Sequence, residues 1–162
     1  MVNNSAIVKI IESITKKNGA PCKKTLQKMV YLIEKKGVNI GCDYGIHFYG
    51  PYSPDLDFAV REMCDEGVLM IEYSSMEHKI KIVDKSFIEP YENGVIDEVI
   101  NQFGRETSAE LELLATALYV YYQVADAEKI KAGVLKIKGS KYSERRIDSA
   151  IECLKTNGFI AA

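Results

Sequence analysis

Three observations make this 162-residue chain a mainly α protein with a small antiparallel component, the α+β class. Apolar residues recur every three or four positions over most of the length, two short stretches alternate with period two, and glycines, prolines and capping residues mark the boundaries. Hydrophobic residues make up 47%, charged residues 27%, and the formal net charge is −2, which suits a packed core and excludes disorder. The apolar runs, 68–71 and 118–122 among them, fall far short of the ~20 residues a bilayer span needs, so no membrane partner is expected. The polar start at residues 1–5 does not read as a secretory leader, and a cytoplasmic protein is expected.

Ile7, Ile10, Ile11 and Ile14 mark the first helix, with Ser5 as the expected N-cap and Asn18 and Gly19 at its end. Beyond Pro21, a stripe of Leu26, Met29, Val30 and Ile33 runs to Gly37. Lys23, Lys24, Lys28, Lys35 and Lys36 fall elsewhere on the circumference and predict a cationic outer side for this second helix. From Cys42 the period changes to two, with Tyr44, Ile46 and Phe48 opposite Gly45, His47 and Tyr49. One short strand is expected there, stopped by Gly50 and Pro51. Ser53 then reads as an N-cap, Pro54 as the first helical residue, and Asp55 and Asp57 as anions in the turn that the helix dipole favours. Leu56, Ala59, Val60 and Met63 stripe this third helix, and Gly67 ends it. Residues 68–73 and 78–83, either side of Ser74, Ser75 and Met76, predict a hairpin. Helix, helix, short strand, helix and hairpin is the order of a winged-helix-like unit, residues 1–88, with its early strand displaced to lie between the second and third helices.

Residues 89–162 read as a helical unit packed against the first. Val95, Ile96, Val99, Ile100 and Phe103 mark one helix, and Thr107 with Glu110 forms a capping box for a strongly apolar helix over 111–124. Asp126 caps a basic helix to about Lys138, and Ser143 caps a last one striped by Ile147, Ala150, Ile151 and Leu154. The apolar helix belongs either at the centre of the core or in a homodimer interface, which leaves monomer and homodimer open. Ala59, Val60, Met63, Gly67, Val68 and Leu69 are echoed by Ala150, Ile151, Leu154, Gly158, Phe159 and Ile160. That shared grammar of helix, glycine cap and strand admits a second, degenerate helix-turn-helix unit in the C-terminal half.

The small net charge conceals blocks. Residues 1–40 carry eight bases against two acids, 41–100 four against thirteen, 101–128 one against five, and 129–162 eight against three. Single-sign blocks on a near-neutral chain predict a polarised surface for a charged partner, or simply solvated helix faces. Cys22, Cys42, Cys64 and Cys153 are widely spaced, so four reduced thiols are expected rather than a zinc site, and neither metal nor cofactor is expected.

Two segments carry a resemblance. Leu26, Gln27, Lys28, Met29, Val30, Tyr31 and Leu32, followed by His47, Phe48, Tyr49, Gly50, Pro51, Tyr52, Ser53 and Pro54, resemble the paired signatures of the YwgA-like bacterial proteins. These are distantly similar to the SocA-like antitoxin or Panacea-type domain, with its Leu-Gln-Lys-Leu helix and Tyr-Gly-Pro element. The likeness covers residues 7–83. It implies a helical, winged-helix-like fold, non-enzymatic work as an antitoxin, adaptor or regulator, and no catalytic residue. The chain lacks the aromatic-rich, Trp-bearing stretch that precedes Tyr-Gly-Pro in Panacea-type domains.

The candidate sites follow from residue chemistry. His47, Tyr49 and Tyr52 can present a contact patch for a protein partner, because rigid aromatics lose little entropy on binding; equally, Gly50 and Pro51 are the turn that swings a strand into the third helix, with Phe48 and Tyr49 against the core. The exposed side of the third helix offers Asp55, Asp57, Phe58, Glu62, Asp65 and Glu66 with Arg61 as its one base, a surface a DNA duplex would repel. Phe58, Arg61 and Glu62 are therefore expected to contact protein. Asp55 and Asp57, two apart on a helix, cannot share a substrate atom, and Ser53 lies in no nucleophile motif, so no enzyme is expected. The alternative is a DNA-binding transcriptional regulator whose phosphate contacts come from Lys23, Lys24, Lys28, Lys136, Lys138, Lys141, Arg145 and Arg146.

Overall fold

The computed structural model describes residues 1–161. Helix α1 spans Asn4–Asn18, α2 Lys23–Lys35, α3 Pro54–Asp65, α4 Gly94–Phe103, α5 Ser108–Val124, α6 Ile130–Lys138 and α7 Glu144–Thr156. Two antiparallel hairpins complete the described chain: β1 Gly45–His47 with β2 Gly50–Tyr52, and β3 Leu69–Tyr73 with β4 His78–Ile82. The fold is mainly α, of the α+β class, as the periodicity predicts.

All the expected stripes of α1, α2 and α3 are buried. Burial of one stripe per helix, rather than helix propensity, holds such short elements together. The caps form where short polar residues meet orphan amides: Ser53 Oγ accepts from Leu56 N at 3.3 Å, Thr107 Oγ1 from Glu110 N at 3.1 Å, and Ser143 Oγ from Arg146 N at 3.2 Å. One cap differs from expectation. Helix α1 is capped by Asn3, whose Oδ1 accepts from Ala6 N at 3.0 Å, and Ser5 lies inside the helix.

The single strand expected over residues 42–49 is instead a hairpin. Gly50 and Pro51 do not stop it but form its second arm, in the register Gly45↔Tyr52, Ile46↔Pro51 and His47↔Gly50. Proline is tolerated there because a two-stranded ribbon leaves an unpaired edge. This hairpin does not join the β3–β4 sheet. The residue that does is Cys22, between α1 and α2, which bridges to Lys79 while Ile80 N donates to Pro21 O at 2.8 Å. A one-residue bridge thus lies ahead of α2, and the strand expected between α2 and α3 is a hairpin of its own, β1–β2.

Helix α5 lies at the centre. Residues 111–118 are all buried, and the helix packs on α2, α6, α7 and β2. The basic helix after Asp126 starts with a 3₁₀ turn over Ala127–Lys129. The buried apolar side chains make one core that runs through both the 1–88 and 89–162 segments, with α4 seated on α1 and α2. The echo between the halves is real at the helix ends: Val68 N donates to Met63 O and Phe159 N to Leu154 O, each at 2.9 Å, past glycines with φ of 80° and 76°. It stops there, because Phe159 and Ile160 are buried without entering a strand. No helix among the described residues is long and apolar enough to cross a membrane.

Candidate partner-binding site

The β1–β2 hairpin stands on a polar clamp built from α2, α5 and α6. Gln27 Nε2 donates to Ser53 O at 2.9 Å while Ser53 N donates to Gln27 Oε1 at 2.8 Å, so one buried amide side chain pairs with the backbone as a strand would. Lys28 Nζ donates to Pro51 O at 2.9 Å, and Lys138 Nζ to Phe48 O at 2.8 Å. Beneath them sits Glu112, 5% exposed, whose Oε2 receives Lys138 Nζ at 3.1 Å, Lys141 Nζ at 2.7 Å and Tyr142 Oη at 2.8 Å. Gly50, at φ +97°, lies directly on α5, where an added Cβ would come within 2.8 Å of Thr116 Oγ1.

Two corrections follow from this clamp. Lys28 does not belong to a cationic outer side: it is 3% exposed, covered by the hairpin. Lys138 is likewise spent inward, its side chain 5% exposed between Glu112 and Phe48 O. Neither presents a solvated charge to a phosphate backbone. The other predicted cations, Lys23, Lys24, Lys136, Lys141, Arg145 and Arg146, are exposed or half-buried, with Arg146 paired to Glu110. The N-terminal and C-terminal basic blocks do meet: Lys24 Nζ lies 3.6 Å and Lys141 Nζ 5.8 Å from the centroid of the Tyr49 ring.

The hairpin tip turns outward rather than into the core. Phe48 is 75% exposed, and Tyr49 stands beside it edge-on, with ring centroids 5.0 Å apart. His47 and Tyr52, across the hairpin, stack at 5.0 Å. On α3, Phe58 is 59% exposed between Asp55 and Glu62, its neighbours at three and four residues. Arg61 is committed to Asp57 at 3.1 Å, and Asp55 accepts from Asp43 N at 3.0 Å. The outer side of α3 thus offers one large apolar ring among carboxylates.

No family model matches the chain. Over 146 residues it is 32% identical to a Bacillus subtilis (strain 168) protein whose printed name is "Uncharacterized protein YwgA", a match covering 82% of this chain and 84% of that one. The chain belongs to the YwgA family. The two segments that carry the resemblance to YwgA-like proteins are the α2 part of the clamp and the hairpin it holds, joined by the Gln27–Ser53 and Lys28–Pro51 hydrogen bonds.

Sequence reasoning missed Gln27, Glu112 and Tyr142 as parts of this YwgA-family site. The available signals were a glutamine beside a buried stripe and a carboxylate inside an otherwise apolar helix, since such groups are buried only with partners. Burial of Lys28 draws its ammonium down from 10.5 to about 8; Glu112 opposes the shift, and Lys138 and Lys24 add to it. Below about pH 8 the folded protein holds this charge in a poor solvent, and the penalty is relieved as pH rises from about 8 toward 10.5, where the unfolded chain binds more protons than the folded one. Lys28→Met, which removes the charge and one hydrogen bond, is therefore expected to raise the unfolding free energy at neutral pH by about 1–2 kcal/mol in urea titrations. A loss of stability would mean that the Pro51 hydrogen bond outweighs the buried charge.

Proposed function

We propose that this YwgA-family chain is a non-enzymatic regulatory protein of winged-helix type that acts by docking a segment of another protein on α3, in the manner of an antitoxin or adaptor. The observation that carries this reading is Phe58 on the outer stripe of α3, exposed between Asp55 and Glu62. In a winged helix this element enters the DNA groove, but here carboxylates surround its apolar ring, and Arg61 is tied to Asp57. The complementary partner is a segment with one large apolar residue flanked by lysines or arginines. A ring anchored by burial and ringed by charge gives both affinity and orientation. The exposed Phe48 and Tyr49 tip, hydrogen-bonded to Lys138, offers a second aromatic contact. Leu26, Gln27 and Lys28, with Tyr49, Gly50 and Pro51, which we read as resembling the SocA-like and Panacea-type signatures, are in keeping with the same class of work.

Selection from displayed random peptides tests the proposal. Binders are expected to share an apolar residue between basic ones, and Phe58→Ser with Glu62→Lys is expected to weaken them by at least tenfold, about 1.4 kcal/mol. Binders indifferent to positions 58 and 62 would overturn it. A second reading has its own observation, the convergence of Lys24 and Lys141 on Tyr49. With Lys23, Lys136 and Arg145 they would supply sequence-independent phosphate contacts, read as duplex binding that falls steeply with salt.

A further inference from the structure

Between α2, the β1–β2 hairpin, α3 and β4 lies a cavity of about 240 Å³. Its floor is apolar, made by Leu26, Leu56, Val60 and Ile80, and Lys23 and Lys24 stand among its lining residues. Lys28 also lines it, and its surroundings are unusual. The ammonium carries three hydrogens, makes one hydrogen bond, to Pro51 O, and forms no ion pair, so two of its hydrogens have no protein acceptor among the described residues. A buried ammonium with free donors beside an apolar hollow is costly to keep, unless something fills the hollow and accepts from it.

We propose that this cavity binds a small organic carboxylate with an apolar body: its carboxylate accepts from Lys28, and its hydrocarbon part lies against Leu26, Leu56, Val60 and Ile80. The pattern of an apolar hollow with few convergent polar groups is that of small-molecule sites generally, and the volume limits the ligand to a small one. One buried ammonium balances one charge, which selects a monoanion over a phosphate ester. Lys23 and Lys24 steer the anion inward. Asp57, the carboxylate in the lining, is paired with Arg61 and so does not oppose the charge. His47 and Tyr52, with ring centroids 5.0 Å apart and planes inclined by 34°, form a side wall. The inference does not depend on the docking reading, since the cavity needs no protein partner.

Methyl-resolved NMR titration of the full chain with octanoate and benzoate tests it, with octan-1-ol, benzyl alcohol and inorganic phosphate as the comparison probes. The two carboxylates are expected to shift the methyl signals of Leu26, Leu56, Val60 and Ile80 saturably, and each alcohol to bind about tenfold or more weakly than its acid. In Lys28→Met the acid should fall to the level of its alcohol. The titratable and charged groups facing Lys28 are Cys22 at the N-cap of α2, Lys23 and Lys24 from α2, Glu112 from α5, Lys138 from α6, Lys141 from the loop after it, His47, Tyr49 and Tyr52 from the hairpin, and Asp57 from α3. As its ammonium loses its proton near pH 8, carboxylate affinity should drop roughly tenfold between about pH 7 and about pH 9. Equal binding of acid and alcohol in the unaltered protein would overturn the proposal, as would phosphate binding at the same methyls or undiminished affinity in Lys28→Met.

Discussion

Replacing Glu112 by alanine is expected to lower the unfolding free energy by about 3–5 kcal/mol, the cost of stripping the counter-ion from a buried charge. Three donors converge on this carboxylate from α6, the following loop and Tyr142. Once it is gone, the Lys138 ammonium is left buried with Phe48 O as its remaining partner, Lys141 loses its counter-ion, and Tyr142 keeps only Ala109 O, at 3.2 Å. Burial opposes ionisation of Glu112, but the hydrogen bonds from Lys141, Tyr142 and Lys138 outweigh it and hold its carboxyl below the ordinary value of 4.5. A carboxyl depressed in the folded state contributes stability that is present above the unfolded value and lost as pH falls through the folded one. In unaltered protein, urea midpoints should therefore decline below about pH 4.5, and in Glu112→Gln that decline should flatten. A loss of less than about 1 kcal/mol in the alanine variant would show that the clamp is not what holds the hairpin down.

Gly50→Val is expected to cost about 3 kcal/mol or more, combining a positive φ with overpacking. The backbone there has φ +97°, and the first added atom lands 2.8 Å from Thr116 Oγ1, 3.4 Å from Lys28 Cε and 3.5 Å from Glu112 Cγ. Thr116 is buried on α5 and cannot yield without moving that helix. Gly45, in the opposite arm of the same hairpin, has no heavy atom within 4 Å of an added Cβ, so Gly45→Ala should stay within about 0.5 kcal/mol. The pair, measured by denaturant titration, separates seating of the hairpin from glycine content in general. Equal losses at both positions would contradict the seating.

What the sequence reveals and what it hides divide along physical lines. Helix stripes, the Ser53 and Pro54 start of α3, and the β3–β4 hairpin are local features, fixed by spacing and by the conformational habits of single residues, and they are legible. The β1–β2 hairpin is not, because Gly50 and Pro51 read as a stop until α5 supplies a surface for them to lie on. Lys28 reads as a solvated cation for the same reason: what buries it is a strand more than twenty positions away in the chain. Cys22 pairs with Lys79 through backbone alone, which leaves no pattern in side chains. The candidate site was half legible. Tyr49, Tyr52 and Phe58 are conspicuous as aromatics in polar company, while Gln27 and Glu112 acquire their roles only from long-range contacts.

The most direct test of function through protein contact rather than DNA contact is fluorescence anisotropy at low and at physiological salt. One probe is a labelled peptide with an apolar residue between basic ones, and the other a duplex several helical turns long. If α3 is the docking surface, the peptide binds saturably, loses affinity with Phe58→Ser and is indifferent to Lys136→Ala with Arg145→Ala, while the duplex shows no saturable binding at physiological salt. Duplex binding that survives physiological salt and is lost in Lys136→Ala with Arg145→Ala, alongside a peptide indifferent to Phe58, would contradict it.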